Sequence, residues 1–477
     1  MVLTEHSWLM WQILLALPLL VGFILLSNQL LCPSPSKKTN STIPAVGVSP
    51  GPLGSWTAGI RFVKHSASII QYGYEKYAPD QKAFKISTLP RWVVVATHDA
   101  AIKQLQDSDE QFLSMQEAAN ERNSISYVLG KYIHENPYHM SIVQRRLTPR
   151  LSQILPEVIE DLDLIFGDFQ TTATEWAALD HHKIAERCIS AITNRALLGP
   201  TLAGDLEFLD SVLELSNVIS RAGLVIDLTP RSLKSLMARF LVHRHAAFKI
   251  YLSKVIPLFK DRRRAYRENG DQVERPNDAI QWFLEAAPAT QSEYDLALYI
   301  LYIQFSAIHT SSASLVNVLH DLAASPGFQN PIKDEVNAVL QKDGNWTKQS
   351  LAKMGKLDSS VRESQRLHPV TTATMMRKVL QPYTLVDGTH LSPGQWVVAP
   401  AWAINRSLQK YDHPTEFNAF SPGRFFAMME LKLVTAYIVQ KFEFRLGTES
   451  EGVRPQNGFF CFSCVPDSES RLLFKMR

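Results

Sequence analysis

Two side chains of opposite charge, Glu363 and Arg366, stand three positions apart in the stretch 357–369. On a helix that spacing puts them on one face, within reach of each other. Alone they could be an ordinary surface ion pair, which contributes little. Their setting raises the signal: Leu367, His368 and Pro369 stop the helix, and the run from Thr371 to Arg377 leads into strand-like sequence. A second group is Ala307, His309 and Thr310, inside a long amphipathic stretch. Ala307 is small enough to admit a flat cofactor, and Thr310 offers a hydroxyl one turn further round on nearly the same face. His309 reads equally well as a proton relay or as a solvated or core-bonded histidine. Two other motifs are weaker. Cys461 and Cys464 have the spacing of a redox or zinc half-site, but no second such pair accompanies them. Gly47-Val48-Ser49-Pro50-Gly51 spells a nucleophile elbow, yet Pro50 and the Pro-rich surroundings point to a chance match.

The chain that must position these residues has 477 residues, 45% hydrophobic and 20% charged, enough to bury a large core. Forty-nine basic and 46 acidic side chains leave a net charge of +3, which argues against a nucleic-acid partner. Four cysteines, Cys32, Cys188, Cys461 and Cys464, cannot form a disulfide framework, so the body is expected in a reducing compartment. Helical patterning dominates after about residue 60, at 100–119, 154–170, 206–221, 233–266 and 293–324. Strand signals are few, at 91–96, 377–380, 383–385, 396–399 and 459–474. The turns Asp387-Gly388 and Pro393-Gly394 bracket two short strands and predict a small hairpin sheet. The expectation is one mainly α domain with small β-sheets over 61–477. Ahead of it, 8–26 carries no charge and predicts a transmembrane anchor, with a short lumenal amino terminus at 1–7 and a Pro-rich linker at 27–60. Lys37 and Lys38 follow the span and put the body on the cytosolic side.

On these residues the chain resembles the cytochrome P-450 family of haem-thiolate monooxygenases. Its E-x-x-R helix is matched by Glu363-Ser364-Gln365-Arg366, and further likeness lies in Pro276-Asn277-Asp278 with Gln281-Trp282, in the run from Ala307 to Ser312, and in Pro422-Gly423-Arg424-Phe425-Phe426-Ala427 followed by Glu430-Leu431-Lys432. The likeness covers nearly the whole chain and is closest to fungal, membrane-anchored members similar to ent-kaurene oxidase. It implies the cytochrome P-450 fold behind one N-terminal transmembrane helix, held in the endoplasmic reticulum membrane. It implies haem, dioxygen, and electrons from NADPH through an NADPH-cytochrome reductase. The reaction it implies is hydroxylation of an apolar natural product, such as a terpenoid, meroterpenoid or alkaloid, in secondary metabolism. By the same resemblance Thr310 serves proton delivery, with His309 standing where many members have a carboxylate. Glu363 and Arg366 hold the fold around the haem. Cationic partners for its propionates are His139, Arg145 or Arg146, Arg377 and Arg424, and the pocket is lined by Ala307, Thr371, Thr372 and Thr374.

The pattern breaks at one place. The family has its haem-binding cysteine immediately before the Pro-Gly-Arg-Phe-Phe-Ala segment, and here that position is Ser421. Serine lacks the soft sulfur donor and is hardly ever ionised. Pro414-Thr415-Glu416-Phe417 matches the family's Pro-x-x-Phe, but only Asn418, Ala419 and Phe420 separate it from Ser421. The arginine that joins the Glu-Arg pair, the glycine-rich turn and the cysteine are thus missing as one block near 420–422. Three readings follow: a gene-model or splice form of an active monooxygenase, a haem-free relative acting as a binding or scaffold protein, or an unrelated activity on the same fold. As written, the polypeptide is expected not to form a normal thiolate-ligated haem site.

Overall fold

The computed structural model describes residues 43–418, 429–447 and 452–477, apart from 52, 173, 273–274 and 289. The predicted anchor at 8–26, Ser421 and Arg424 lie outside the described residues. Among the described residues, no helix is long and apolar enough to cross a membrane.

The centre is the helix Glu293–Ala324. It starts where Ser292 Oγ accepts from the Asp295 amide, with Glu293 and Asp295 in the first turn to complement the helix dipole. Apolar residues surround it, so it is buried along most of its length, roughly 48 Å at 1.5 Å per residue. Against it pack His181–Leu198, Leu206–Leu228, Ala246–Asn269, Gly355–Leu367 and Met429–Lys441. Asp180 and Asp205 cap two of these helices by accepting from Lys183 and Phe208 amides. Inside the apolar contact, Gln304 donates to Asn194, whose own amide donates to Ser190 O, so both amide NH2 groups find acceptors.

A six-stranded sheet lies to one side, in the order Ala45–Val46, Phe84–Ser87, Trp92–Val95, Trp396–Ala399, Thr374–Val379, Leu113–Ser114. Its central strand Trp396–Ala399 is buried throughout, as an unbroken apolar run requires. Phe442–Leu446, Leu472–Met476 and Ala177–Leu179 form a second sheet, and Gly458–Phe460 pairs with Ser463–Val465 in a hairpin. The architecture is mainly helical with small sheets, as expected.

The boundaries differ from the expected ones in four places. The stretch 100–119 is two helices, Asp99–Asp107 and Met115–Asn123, because Asp109 turns the chain by accepting from Gln111 and Leu113–Ser114 pairs with Lys378 and Val379. The stretch 233–266 breaks before Ala246, where extended His245 caps the next helix with its ring nitrogen. The helix Gly54–Tyr77 begins inside the expected linker, since Gly54 donates to Gly51 O and lies so close to Ser49 O that a Cβ would sit 1.9 Å from it. Finally, Tyr383–Thr384 pairs with His390–Leu391 across Gly388 (φ +80°), while Trp396–Ala399 leaves this hairpin for the large sheet.

Candidate active site

The helix Gly355–Leu367 buries Glu363 and Arg366, which are 2% and 4% exposed. Arg366 Nε and Nη2 donate to the two Glu363 oxygens at 2.8 and 2.7 Å, a fork-to-fork pair. The rest of the guanidinium is spent on main chain: Nη1 donates to Asn405 O at 2.6 Å and Pro414 O at 2.7 Å, and Nη2 to Glu416 O at 3.3 Å. The Asn418 amide donates to Glu363 Oε1 at 3.2 Å. The segment after Pro414 is thereby tied to the pair by backbone groups, at the place where the family's pattern supplies an arginine.

On the long helix, Ser306, Thr310 and Ser314 return hydroxyl bonds to the carbonyls of Tyr302, Ser306 and Thr310 at 2.8, 3.0 and 2.8 Å. Such back-bonding at four-residue steps aligns hydroxyls along one face. Two cavities meet that face. One, of about 440 Å³, is walled by Ala307 and Thr310 together with His139, Val143 and Leu147. The other, of about 570 Å³, also reaches Thr310 and is walled by His309, Thr371, Arg122 and the hairpin residues Ser463 and Cys464. Thr310 thus walls both cavities, together with Ala119, Tyr302 and Ser306. Its hydrogen is committed to its own helix, so it presents lone pairs to the cavity and can accept a hydrogen bond there.

His309 does two things. One ring nitrogen bonds the backbone of Ser216 on Leu206–Leu228, while Nε2 is buried without a partner. Burial lowers its basicity, so the ring is neutral at neutral pH. His139 is buried against Tyr302, its Nδ1 has no partner, and burial pushes its pKa down to about 4. Arg377 lies on Thr374–Val379, donates to Met376 O, and keeps a buried Nε with no partner. Arg145 is exposed, and Arg146 reaches Glu285 at 3.6 Å. Of the three threonines, Thr371 walls the larger cavity, Thr372 is fully buried with its amide and hydroxyl on Phe462 O, and Thr374 is exposed at the strand's start. Ser49, the elbow serine, is exposed and faces Arg61, which cannot take its proton.

Arg122 and Asp321 carry no local sequence signal. Arg122 walls the larger cavity with no carboxylate partner among the described residues, 3.4 Å from Ser463 Oγ, and burial lowers its basicity. Glu430, at the start of Met429–Lys441, is buried beside Ser311 Oγ, and burial pushes its carboxyl up to about 7. Asp321 is buried between His368 Nε2, at 3.1 Å, and Arg454. Burial pulls its carboxyl upward, but those two neighbours outweigh it and hold it below the usual range. Only the gathering of distant elements makes Arg122 and Asp321 visible.

Residues 50–425 match the cytochrome P-450 family, and the chain belongs to that family. It is 32% identical over 473 residues to cytochrome P450 monooxygenase 71 of Postia placenta, covering 91% of this chain and 93% of that protein. Cytochrome P450 monooxygenase atmQ of Aspergillus flavus is 26% identical, with 91% and 88% covered. Ent-kaurene oxidase of Gibberella intermedia is 27% identical, with 93% and 89% covered. The family is one of monooxygenases, and it implies haem.

The residues present fit that group in part. Arg377 Nε, a buried donor without a partner among the described residues, suits a haem carboxylate, and Ala307 leaves room beside the long helix, whereas His139, expected as a cationic partner, is kept neutral at neutral pH by burial. An axial thiolate is not provided by the described cysteines. Cys188 is fully buried within His181–Leu198, and burial raises its thiol far above the usual range. Cys464 walls the larger cavity, but burial pushes it up to about 12, and Cys461 is likewise raised. None of the three stands immediately before the Pro-Gly-Arg-Phe-Phe-Ala segment, where the family has its haem-binding cysteine.

Proposed function

We propose that this chain is a secondary-metabolism monooxygenase whose sequence lacks the cysteine loop between Asn418 and Pro422. The substrate would be an apolar natural product of terpenoid, meroterpenoid or alkaloid type, held in the larger cavity, with Arg122 meeting an acid or carbonyl oxygen upon it. Thr310 would serve proton delivery, assisted by His309. Electrons would come from NADPH through a reductase at the endoplasmic reticulum membrane, where 8–26 anchors the chain. The observation that carries the reading is Thr310, which walls both cavities, one of them also walled by His139 and the other by His309, each with a buried ring nitrogen that has no partner among the described residues. Each such polar atom costs about 1–3 kcal/mol, a burden that suits a cofactor site better than a haem-free scaffold.

The test is the reduced, carbon-monoxide difference spectrum of the chain as written, in membranes, beside a version whose missing loop is restored from genomic sequence. A thiolate-type Soret band in the restored version alone supports the reading. The same band in the chain as written refutes the missing ligand, and no band in either favours the scaffold.

A further inference from the structure

We propose that His181, His182 and His320 form a binding site for a divalent transition metal of the zinc class, clamping the start of His181–Leu198 to the long helix. The ligand nitrogens of the three rings all lie within 4.8 Å of one another. His181 and His182 project from the first turn of one helix, and His320 from the last turns of the other. His181 Nε2 and His320 Nε2 are 2.9 Å apart and share a single hydrogen between them. Zinc at about 2.0–2.1 Å from each nitrogen would set a tetrahedral pair roughly 3.3 Å apart, so replacing that hydrogen requires only a few tenths of an ångström.

The surroundings orient the rings. Ser470 Oγ is 3.2 Å from His320 Nε2, and His182 Nε2 donates to Asp467 O at 2.7 Å, which leaves Nδ1 to carry the lone pair of that ring. His182 also walls the larger cavity and so gives an ion a way in. Burial keeps His181 and His320 neutral, the form that ligates metals. Asp180 and Asp467 add negative potential at His181. The opposing charge near His320 is Arg454, which is already paired with Asp321. A set of three imidazoles selects zinc, cobalt, nickel or copper over magnesium and calcium.

The site uses none of the residues assigned to haem or proton delivery, although His182 also walls the larger cavity, and its test reads metal uptake rather than oxidation. The full chain is titrated with Co²⁺ followed by visible absorption, then back-titrated with Zn²⁺, with Mg²⁺ as control. One equivalent of Co²⁺ giving tetrahedral ligand-field bands, displaced by Zn²⁺ and accompanied by a rise in melting temperature, is the expected result. His182→Ala, on a half-buried ring, and His320→Asn should each weaken Co²⁺ binding tenfold or more. Should His320→Asn fail to fold, His182→Ala alone decides. Co²⁺ uptake that is unchanged in His182→Ala, or absent from the unmodified chain, overturns the site.

Discussion

Arg366 gives every one of its donors to a carboxylate or a carbonyl inside the protein, and Glu363 receives three hydrogen bonds in return. Removing one partner leaves a buried charge unanswered, so Arg366→Ala should destabilise the fold by about 3–5 kcal/mol in urea unfolding. A loss under about 1 kcal/mol, the range of an exposed pair, would contradict that account. Glu430 makes a prediction of opposite sign in pH. Between pH 4.5 and about 7 the folded carboxyl keeps a proton that the unfolded chain releases. Stability should therefore fall as pH rises through that window, by at most about 3 kcal/mol, and Glu430→Gln should flatten the slope. Arg122→Leu should weaken an apolar carboxylic acid such as laurate about tenfold in calorimetry while leaving the matching alcohol unaffected. Equal losses for both ligands would show that the guanidinium only packs. Glu363 and Arg366 were legible because their partnership is local, set by helical spacing. Arg122 and the three histidines were not, since each gains its meaning from an element more than a hundred residues away. Among the threonines, sequence cannot say that Thr371 faces the cavity and Thr372 turns to Phe462, because neighbouring positions of an extended chain point apart.

At the scale of elements, the best-read pieces are those whose ends are written in side chains. The long helix runs from Glu293 to Ala324 as its periodicity predicts, with Ser292 as its cap and Pro326 just past its end. The strand Trp396–Ala399 is likewise where its apolar run put it. Misread elements failed where tertiary pairing wins over periodicity: Leu113–Ser114 is a strand only because Thr374–Val379 lies beside it. Packing between elements also decides which small residues are fixed. At Gly73, on Gly54–Tyr77, a Cβ would come within 2.4 Å of the Phe84 ring. Gly73→Ala should push the helix off the sheet and cost about 1–3 kcal/mol, although alanine is the better helix former. A thermal melt unchanged or raised by the substitution would show that the ring can move aside.

For the whole molecule, the family and its mainly helical architecture were readable because several motifs fall in the expected order along the chain. What one sequence withholds is which surfaces meet. Residues 1–42 bear the proposed anchor, and a chain begun at residue 43 should leave the membrane fraction on expression while the full chain stays in it. Retention of the shortened chain would place the membrane contact elsewhere. The larger cavity has a further consequence. Ser463 and Cys464 form part of its wall, and the strand Leu472–Met476 beyond them closes onto Phe442–Leu446 and Ala177–Leu179. The amino-terminal elements of a growing chain can fold as they emerge, but this pocket cannot. It comes into being only once Ser463 and Cys464 have reached elements made long before them, so no ligand can guide the early steps of folding, and a chain cut short before Ser463 would lose that wall of the chamber while keeping most of the helices.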